Sequence, residues 1–579
     1  MDDLQLVRQI GAGRGLSEQT EGAAMRILSA VREGMESTIA AVECTLSKGF
    51  AGVKLIGNTT EVVRDGRERA RAAIENLGLS LPQQTLILNI APAEVKKDGS
   101  QLDLPMAVAM AIASGARIGS PEKPHGEGTG GAVDLGRWMF VGELGLQGEV
   151  RPIRGVVSFA VAAMERGLEG IVISPKNVRA VEALIGMENG TREPLKIFAF
   201  ATLRDVLDWL ADPSAVPETP GVQMKANRSM TLAASSEHQD LSVNFDDMIL
   251  VPEMERVALA SVTGMHSLLL RGSPGCGKSM FASRLPSIMP RMMGPMHLES
   301  LRIHSTFQAV LPRSLLDGVP PFRAPHHQAT ASALLGSEDR PGEMALSHGG
   351  LLFLDELPEF RRDLLESLRE PLETGEVRVS RAKFKVVWKA RMLLVAACNN
   401  CPCGWSGSAV RSCRCMNSKR MAYQARLSGP LLQRVDIHIN VPERRADNGL
   451  LFVELARDNR ESFTSSLKER VLRAREQSSL RMAETGVAFN GMLKGSQILR
   501  VSRLPEGELR RLINKTMPRA ASPRTVLRCL RVARTLADLD GCEQLAGLHL
   551  DEAYQWLPEP CAAARGEMTP EVGDIAVGE

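Results

Sequence analysis

The sequence predicts an α/β protein: a phosphate-loop core followed by a helical lid and preceded by a further α/β region. Three observations predict it. The apolar run Leu268-Leu269-Leu270 leads into Gly272-Ser273-Pro274-Gly275-Cys276-Gly277-Lys278-Ser279 and then into an amphipathic stretch over 280–285, which is the order strand, glycine loop, helix. A second apolar run, Leu351-Leu352-Phe353-Leu354, ends in Asp355-Glu356, which puts two carboxylates at the carboxyl edge of a buried strand, where α/β folds bind ligands. Through the first 210 residues, short apolar runs (86–90, 170–173, 197–200) alternate with helical patterns (61–77, 156–166).

Length and composition agree with several folded units. A chain of 579 residues has room for about three to five domains, and 44% hydrophobic with 24% charged residues excludes a disordered or fibrous protein. Lys+Arg 70 against Asp+Glu 68 leaves +2, so affinity for nucleic acid has to come from local basic patches. The start, Met1-Asp2-Asp3, is acidic, and the longest apolar stretch, 104–113, is far short of the roughly 20 residues a membrane span needs. The expectation is a soluble cytoplasmic protein with no membrane partner.

The pattern divides as follows. Residues 1–210 form the first α/β domain, and 211–244, with Pro213, Pro217 and Pro220 and little periodicity, read as a linker. The core covers 245–448 and carries an insertion over 400–420. The helical lid covers 449–557, with Val526, Leu527, Leu530, Ala533, Leu536 and Ala537 along one helix face. Residues 558–579 read as a disordered acidic tail.

The core's motifs point to ATP and Mg²⁺. Glycines let backbone N–H groups turn inward on phosphates at a helix N-terminus, Lys278 neutralises the β and γ oxygens, and the Ser279 hydroxyl ligates the metal. Asp355 holds the same metal through water, and Glu356 orients or deprotonates the attacking water. A third apolar run, 392–397, leads to Asn399, whose amide suits a sensor of the γ-phosphate or lytic water. Arg434, in Leu431-Leu432-Gln433-Arg434, suits a finger supplied to a neighbouring subunit's nucleotide, because guanidinium is a planar, permanent cation. Arg524 opens a lid helix that could close on the phosphates.

This order of motifs resembles that of AAA+ ATPases. Pro321-Phe322-Arg323-Ala324-Pro325-His326-His327, Phe353-Leu354-Asp355-Glu356-Leu357-Pro358-Glu359-Phe360 and Arg531-Val532-Ala533-Arg534-Thr535-Leu536-Ala537-Asp538-Leu539 look like the magnesium-chelatase-like YifB/ComM family over nearly the whole chain. The resemblance implies a ring-forming, hexameric bacterial ATPase associated with DNA branch migration during natural transformation, with DNA and further copies of itself as partners. Two departures stand out. Met248-Ile249-Leu250-Val251 follows Asp246-Asp247 where the family usually has a Gly-Gln pair, which bears on adenine-side contacts, and Asn400 replaces the proline that usually follows the sensor asparagine.

Lys97-Asp98-Gly99, Gly142-Glu143-Leu144 and the segment 148–155 resemble the proteolytic domain of Lon-type proteases, which use a Ser-Lys dyad. Gln101 and Val157 stand at the matching positions, and Ser100 lies one residue early. Valine accepts no proton, so the domain is expected to be non-proteolytic and to serve assembly or partner contact.

Two further features carry chemistry. Cys401-Pro402-Cys403 and Cys413-Arg414-Cys415 give two C-x-C pairs, which suit a closed structural Zn²⁺ site; the alternative is reduced, unligated thiols. Between 376 and 391, Arg378, Arg381, Lys383, Lys385, Lys389 and Arg391 face the single acid Glu376, and the alternation reads as a hairpin with one basic face. In a ring it would grip DNA phosphates; otherwise it is a solvated strand face. The leading expectation is an ATP-hydrolysing DNA motor, a branch-migration helicase. Its rivals are a metal-chelatase motor subunit and a nucleotide-gated scaffold.

Overall fold

The computed structural model describes residues 25–115, 134–187, 193–212, 243–381, 384–427, 429–443, 463–516 and 523–558. Most of the expected linker, nearly all of the acidic tail and Lys383 lie outside them.

The first unit is built on strands β1 (Met25–Glu33), β2 (Glu36–Ser47), β3 (Gly52–Ile56), β4 (Thr85–Ala91) and β5 (Trp138–Phe140). The short pair β6 (Glu143–Leu144) and β7 (Val150–Arg151) is followed by β8 (Gly170–Ile173) and β9 (Lys196–Ala199). A seven-stranded sheet has the order β3-β4-β2-β1-β5-β8-β9. It is antiparallel from β1 through β2 to β4 and parallel from β1 through β5 and β8 to β9. All four residues of β8 are buried, as expected of a parallel strand covered on both faces. Helix Glu61–Asn76 buries Val63, Gly66, Ala70, Ala73 and Ile74, one helical stripe, and packs on helix Asp103–Ala113. A Cβ at Gly66 would stand 2.2 Å from Asp103 Oδ1, so glycine permits this contact. Burial pushes the Asp103 carboxyl up to about 6, while Arg69, bonded at 2.7 and 3.1 Å, opposes the shift.

The second unit contains β10 (Leu268–Arg271), β11 (Phe322–Arg323) and β12 (Leu351–Leu354), the hairpin β13 (Glu376–Arg381) and β14 (Phe384–Lys389), then β15 (Leu393–Cys398) and β16 (Ile437–Asn440). Its five-stranded sheet has the order β11-β12-β15-β10-β16 with every pairing parallel. The phosphate loop therefore leaves the carboxyl end of a strand flanked on both sides. The helices after residue 463 pack on this unit. Helix Pro523–Leu539 buries Leu530, Ala533, Leu536 and Ala537, and its buried Asp538 accepts from Arg534 at 2.9 Å, Asn490 at 2.7 Å and Arg481.

The first unit sits against the second. Gly155 N donates to Ser305 O at 2.7 Å, Arg32 to Thr306 O at 3.0 Å and Asn177 to Ala309 O at 2.7 Å. Helix Val156–Arg166 packs on helix Gly294–Phe307, and the turn between β1 and β2 touches Val386 of the hairpin through Gly34.

Candidate nucleotide site

The glycine loop connects β10 to helix Lys278–Ile288, and Gly275 and Gly277 are left-handed at φ 79° and 96°, a conformation a Cβ would strain. Lys278 is nearly buried; its Nζ donates to Gly272 O and Ser273 O at 2.9 Å and to Asn399 Oδ1 at 3.1 Å. The phosphate-loop lysine and the sensor asparagine thus meet, because β10 and β15 are adjacent and in register. Ser279 Oγ donates to Asp355 Oδ2 at 2.7 Å. A hydroxyl beside a carboxylate is an oxygen donor set that fits Mg²⁺, which keeps several of its waters.

Glu356 is one of three described non-glycine residues with positive φ, at 50°. Its N–H donates to Asp355 Oδ1 at 2.8 Å, and its Oε2 lies 3.4 Å from His327 Nδ1. Non-glycine residues in this conformation concentrate at functional sites. In the sequence His327 stands out only as the end of the family-like motif 321–327; its place two residues beyond Pro325, after β11 and beside β12, is what brings it to the carboxylate.

Arg434 and Arg524 are not brought to this chain's own phosphate loop. In the register of β10 and β16, Leu268 faces Ile437, and Ser267 Oγ donates to Arg434 O at 3.2 Å. Arg434 therefore lies at the amino edge of the sheet, while the phosphate loop leaves its carboxyl edge. Arg524 is there too: both guanidiniums reach Glu373, Arg434 at 2.9 Å and Arg524 at 3.1 Å. The lid arginine, expected at the phosphates, reaches Glu373 in this structure and not the chain's own phosphate loop. The lid helix packs with its neighbour Arg528 donating to Val435 O and Gln433 O, which directs that end away from the loop. Glu373 was not singled out in the sequence, where it is one acid among several in a charged helix.

The four cysteine sulfurs lie within 4.8 Å of one another, with Cys401 3.4 Å from Cys403 and 3.6 Å from Cys413. A tetrahedral zinc with Zn–S near 2.3 Å sets S···S at about 3.8 Å, so the cluster is compatible with a zinc site. Amides aim at it as well, Ser406 N donating to Cys401 Sγ at 3.3 Å and Cys415 N to Cys413 Sγ at 3.4 Å. Glu443, another residue the sequence did not flag, accepts from Ser273 Oγ in the phosphate loop, and that hydroxyl holds its carboxyl below the ordinary range.

In the hairpin, Glu376 pairs with Lys389, Arg378 with Val387 and Ser380 with Lys385, so the register gives one face Arg378, Lys385 and Lys389. By backbone register Arg381 stands opposite Phe384, at the position alternate to Arg378. Val377 and Trp388 are buried and fix which face turns inward. At the base, Glu376 takes up Lys389 at 2.7 Å and Arg378 at 3.3 Å.

In the first unit, Ser100 Oγ donates to Glu143 Oε2 at 2.5 Å, Gln101 Nε2 donates to Asp98 O at 2.8 Å, and Val157 is fully buried. Gln101 and Val157, at the positions compared with the Ser-Lys dyad, supply neither its nucleophile nor its base. Among the described residues, no helix is long and apolar enough to cross a membrane.

A parallel sheet of this order, a glycine loop at the carboxyl end of β10 and an acidic strand end in contact with its serine define an AAA-type phosphate-loop domain. Three family models match: magnesium chelatase subunit ChlI over residues 245–449, the ChlI subunit of Mg-chelatase over 42–177 and the ChlI C-terminal region over 461–556. The chain is 33% identical to competence protein ComM of Haemophilus influenzae over 91% of this chain and 96% of the relative. It is 32% identical to the uncharacterized protein YifB of Salmonella typhimurium, over 90% and 95% respectively. A Lon protease of Desulfovibrio desulfuricans is 24% identical over 186 residues, 30% of this chain and 19% of the relative. The chain belongs to the magnesium-chelatase ChlI-like family of YifB and ComM proteins, and is a magnesium-chelatase-like ATPase with a ChlI-like α/β domain in front and a helical domain behind.

Proposed function

We propose that this ATPase works as a homo-oligomeric ring, hexameric by its family resemblance, that moves on DNA as a branch-migration helicase in natural transformation or recombination. The observation that carries the reading is the separation of Arg434 from Lys278 and Glu356 within one chain. Hydrolysis that uses an arginine finger then needs the amino edge of one subunit's sheet against the carboxyl edge of the next, which is a ring or filament contact. Within a site, Lys278 and the loop amides hold phosphates, Ser279 and Asp355 hold Mg²⁺, Asn399 orients the γ-phosphate or water, and Glu356 takes the water's proton. The basic face of β13 and β14 is the candidate DNA grip, and the name of the Haemophilus relative, competence protein ComM, favours DNA uptake as the process. The ChlI-like unit, with Gln101 and Val157 in place of a dyad, serves contact and not proteolysis. The four cysteines hold a structural zinc ion.

ATP turnover of purified protein, alone and with single-stranded, duplex and four-way branched DNA, tests the reading. Stimulation greatest with branched DNA, accompanied by strand exchange, is the expected result. The family models favour one rival, a chelatase motor. Turnover indifferent to every DNA, with no DNA binding, would replace the DNA reading by that rival or by a nucleotide-gated scaffold.

A further inference from the structure

We propose that the cysteine insertion is a metal-dependent brace on the phosphate loop, so that zinc occupancy of its four thiolates sets how tightly the chain holds nucleotide. The inference rests on the zinc and nucleotide readings above and adds a coupling between them.

Two contacts carry it. Gly404, the residue after Cys403, is left-handed at φ 83°, and a Cβ built there would stand 2.4 Å from both Cδ and Cγ of Pro274. The insertion's backbone thus rests on the phosphate loop with no space for a side chain. Glu443, just past β16, bridges the same two segments: one carboxylate oxygen accepts from Ser273 Oγ, the other from Ala409 N at 3.1 Å. The insertion also begins directly after Asn399, whose amide oxygen accepts from Lys278. It therefore meets the nucleotide site at its loop, at its sensor and through a shared carboxylate.

Between residues 400 and 416 the backbone forms only turns and bends, so no helix or sheet ladder fixes its course. The cross-link that can fix it is the four-sulfur cluster itself, whose members come from both ends of the segment. Metal binding to such a loop is ordering free energy. With the metal gone, Gly404 and Ala409 are free to leave Pro274 and Glu443. The phosphate loop then has to be ordered by the nucleotide, which lowers affinity because immobilisation is charged to binding. The metal stays away from the reaction: a site closed by four thiolates has no open position for substrate.

The experiment reads zinc by atomic emission and nucleotide affinity by the anisotropy of methylanthraniloyl-ADP with Mg²⁺, on the full chain. The variants are Cys413→Ser with Cys415→Ser, Gly404→Ala, and Glu443→Ala. Wild type should hold one zinc per chain. The cysteine variant should lose it and bind nucleotide about tenfold more weakly, the factor that follows from losing one charge-assisted hydrogen bond. Gly404→Ala and Glu443→Ala should keep the zinc yet weaken nucleotide similarly, with cooperative thermal unfolding retained, and this keeps the test decisive if the cysteine variant fails to fold. Wild-type nucleotide affinity in both zinc-loaded variants overturns the brace. Absence of zinc from the wild type overturns the zinc reading instead, and a zinc-loaded wild type that binds no nucleotide overturns the nucleotide reading.

Discussion

Glu356 is the proposed base for the attacking water. Its backbone is held in the left-handed region and its carboxylate faces His327 at 3.4 Å, next to the Ser279–Asp355 contact. Glu356→Gln keeps the size and the hydrogen-bonding oxygen but removes the proton acceptor, so ATP binding should persist while turnover falls by roughly a hundredfold or more. Equilibrium nucleotide binding and steady-state phosphate release check the two halves; wild-type turnover would exclude Glu356 as the base. Lys278, Ser279, Asp355 and Asn399 were legible in the sequence because each sits at the end of an apolar strand or in a glycine loop, positions that backbone chemistry dictates. Glu443, Glu373 and His327 were not, because their significance comes from partners brought near only by folding. Ser273 and Glu443 are 170 residues apart in sequence, and nothing around Glu443 marks it locally.

Among the elements, strands and helices with continuous apolar runs and sharp ends were readable from sequence. The run 351–354 is β12, 170–173 is β8, and 156–166 is the helix Val156–Arg166. The antiparallel pair β1 and β2 was not read, since Arg26, Ser29 and Arg32 interrupt β1's apolar pattern and its partner's register is set by a turn at Gly34. The hairpin β13–β14 was read as a hairpin, but its face pattern depends on which side buries Trp388. If its basic face tracks DNA, Lys383→Ala with Lys385→Ala should reduce the slope of log affinity against log salt by about 0.7 per lost contact on single strands. Basal turnover should survive, and an unchanged slope would move the DNA contact elsewhere. Two elements around the second sheet also bury histidines. Burial pushes His304 down to about 4 and His438 to about 3, and the Arg271 and Arg528 charges add to the latter. Unfolded, both titrate near 6.5, so below that pH the unfolded chain binds more protons, and stability is lost as pH falls from about 6.5 towards 4. Each should remove about 2 kcal/mol by pH 5. Urea midpoints measured across this range check it, and His438→Gln should flatten the dependence.

At the scale of the whole molecule, the sheet's two edges are chemically unlike. The carboxyl edge carries the phosphate loop, Asp355 and Asn399, with the cysteine insertion against the loop at Gly404 and Pro274; the amino edge carries Arg434 and Arg524 around Glu373. One chain holds the proposed finger and lid arginines on the side opposite its phosphate loop, so under the proposed function a working site is expected to be assembled between two copies. Arg434→Ala should then bind nucleotide almost normally, because Lys278 and the loop amides are untouched, yet lose turnover by the 10³-fold or more that arginine fingers supply. Lys278→Ala should fail for the complementary reason, losing the phosphates themselves. Mixed before assembly, the two inactive chains should recover turnover, because at some interfaces an intact phosphate loop from the Arg434→Ala chain meets an intact finger from the Lys278→Ala chain. Recovery should scale with the fraction of such interfaces as the mixing ratio is varied, and should vanish when both substitutions are carried by every chain. If mixed oligomers form, as judged by co-purification of differently tagged chains, and turnover stays at the level of the inactive parents at every ratio, Arg434 does not act across an interface, and its salt bridge to Glu373 is then a structural contact at the amino edge of the sheet.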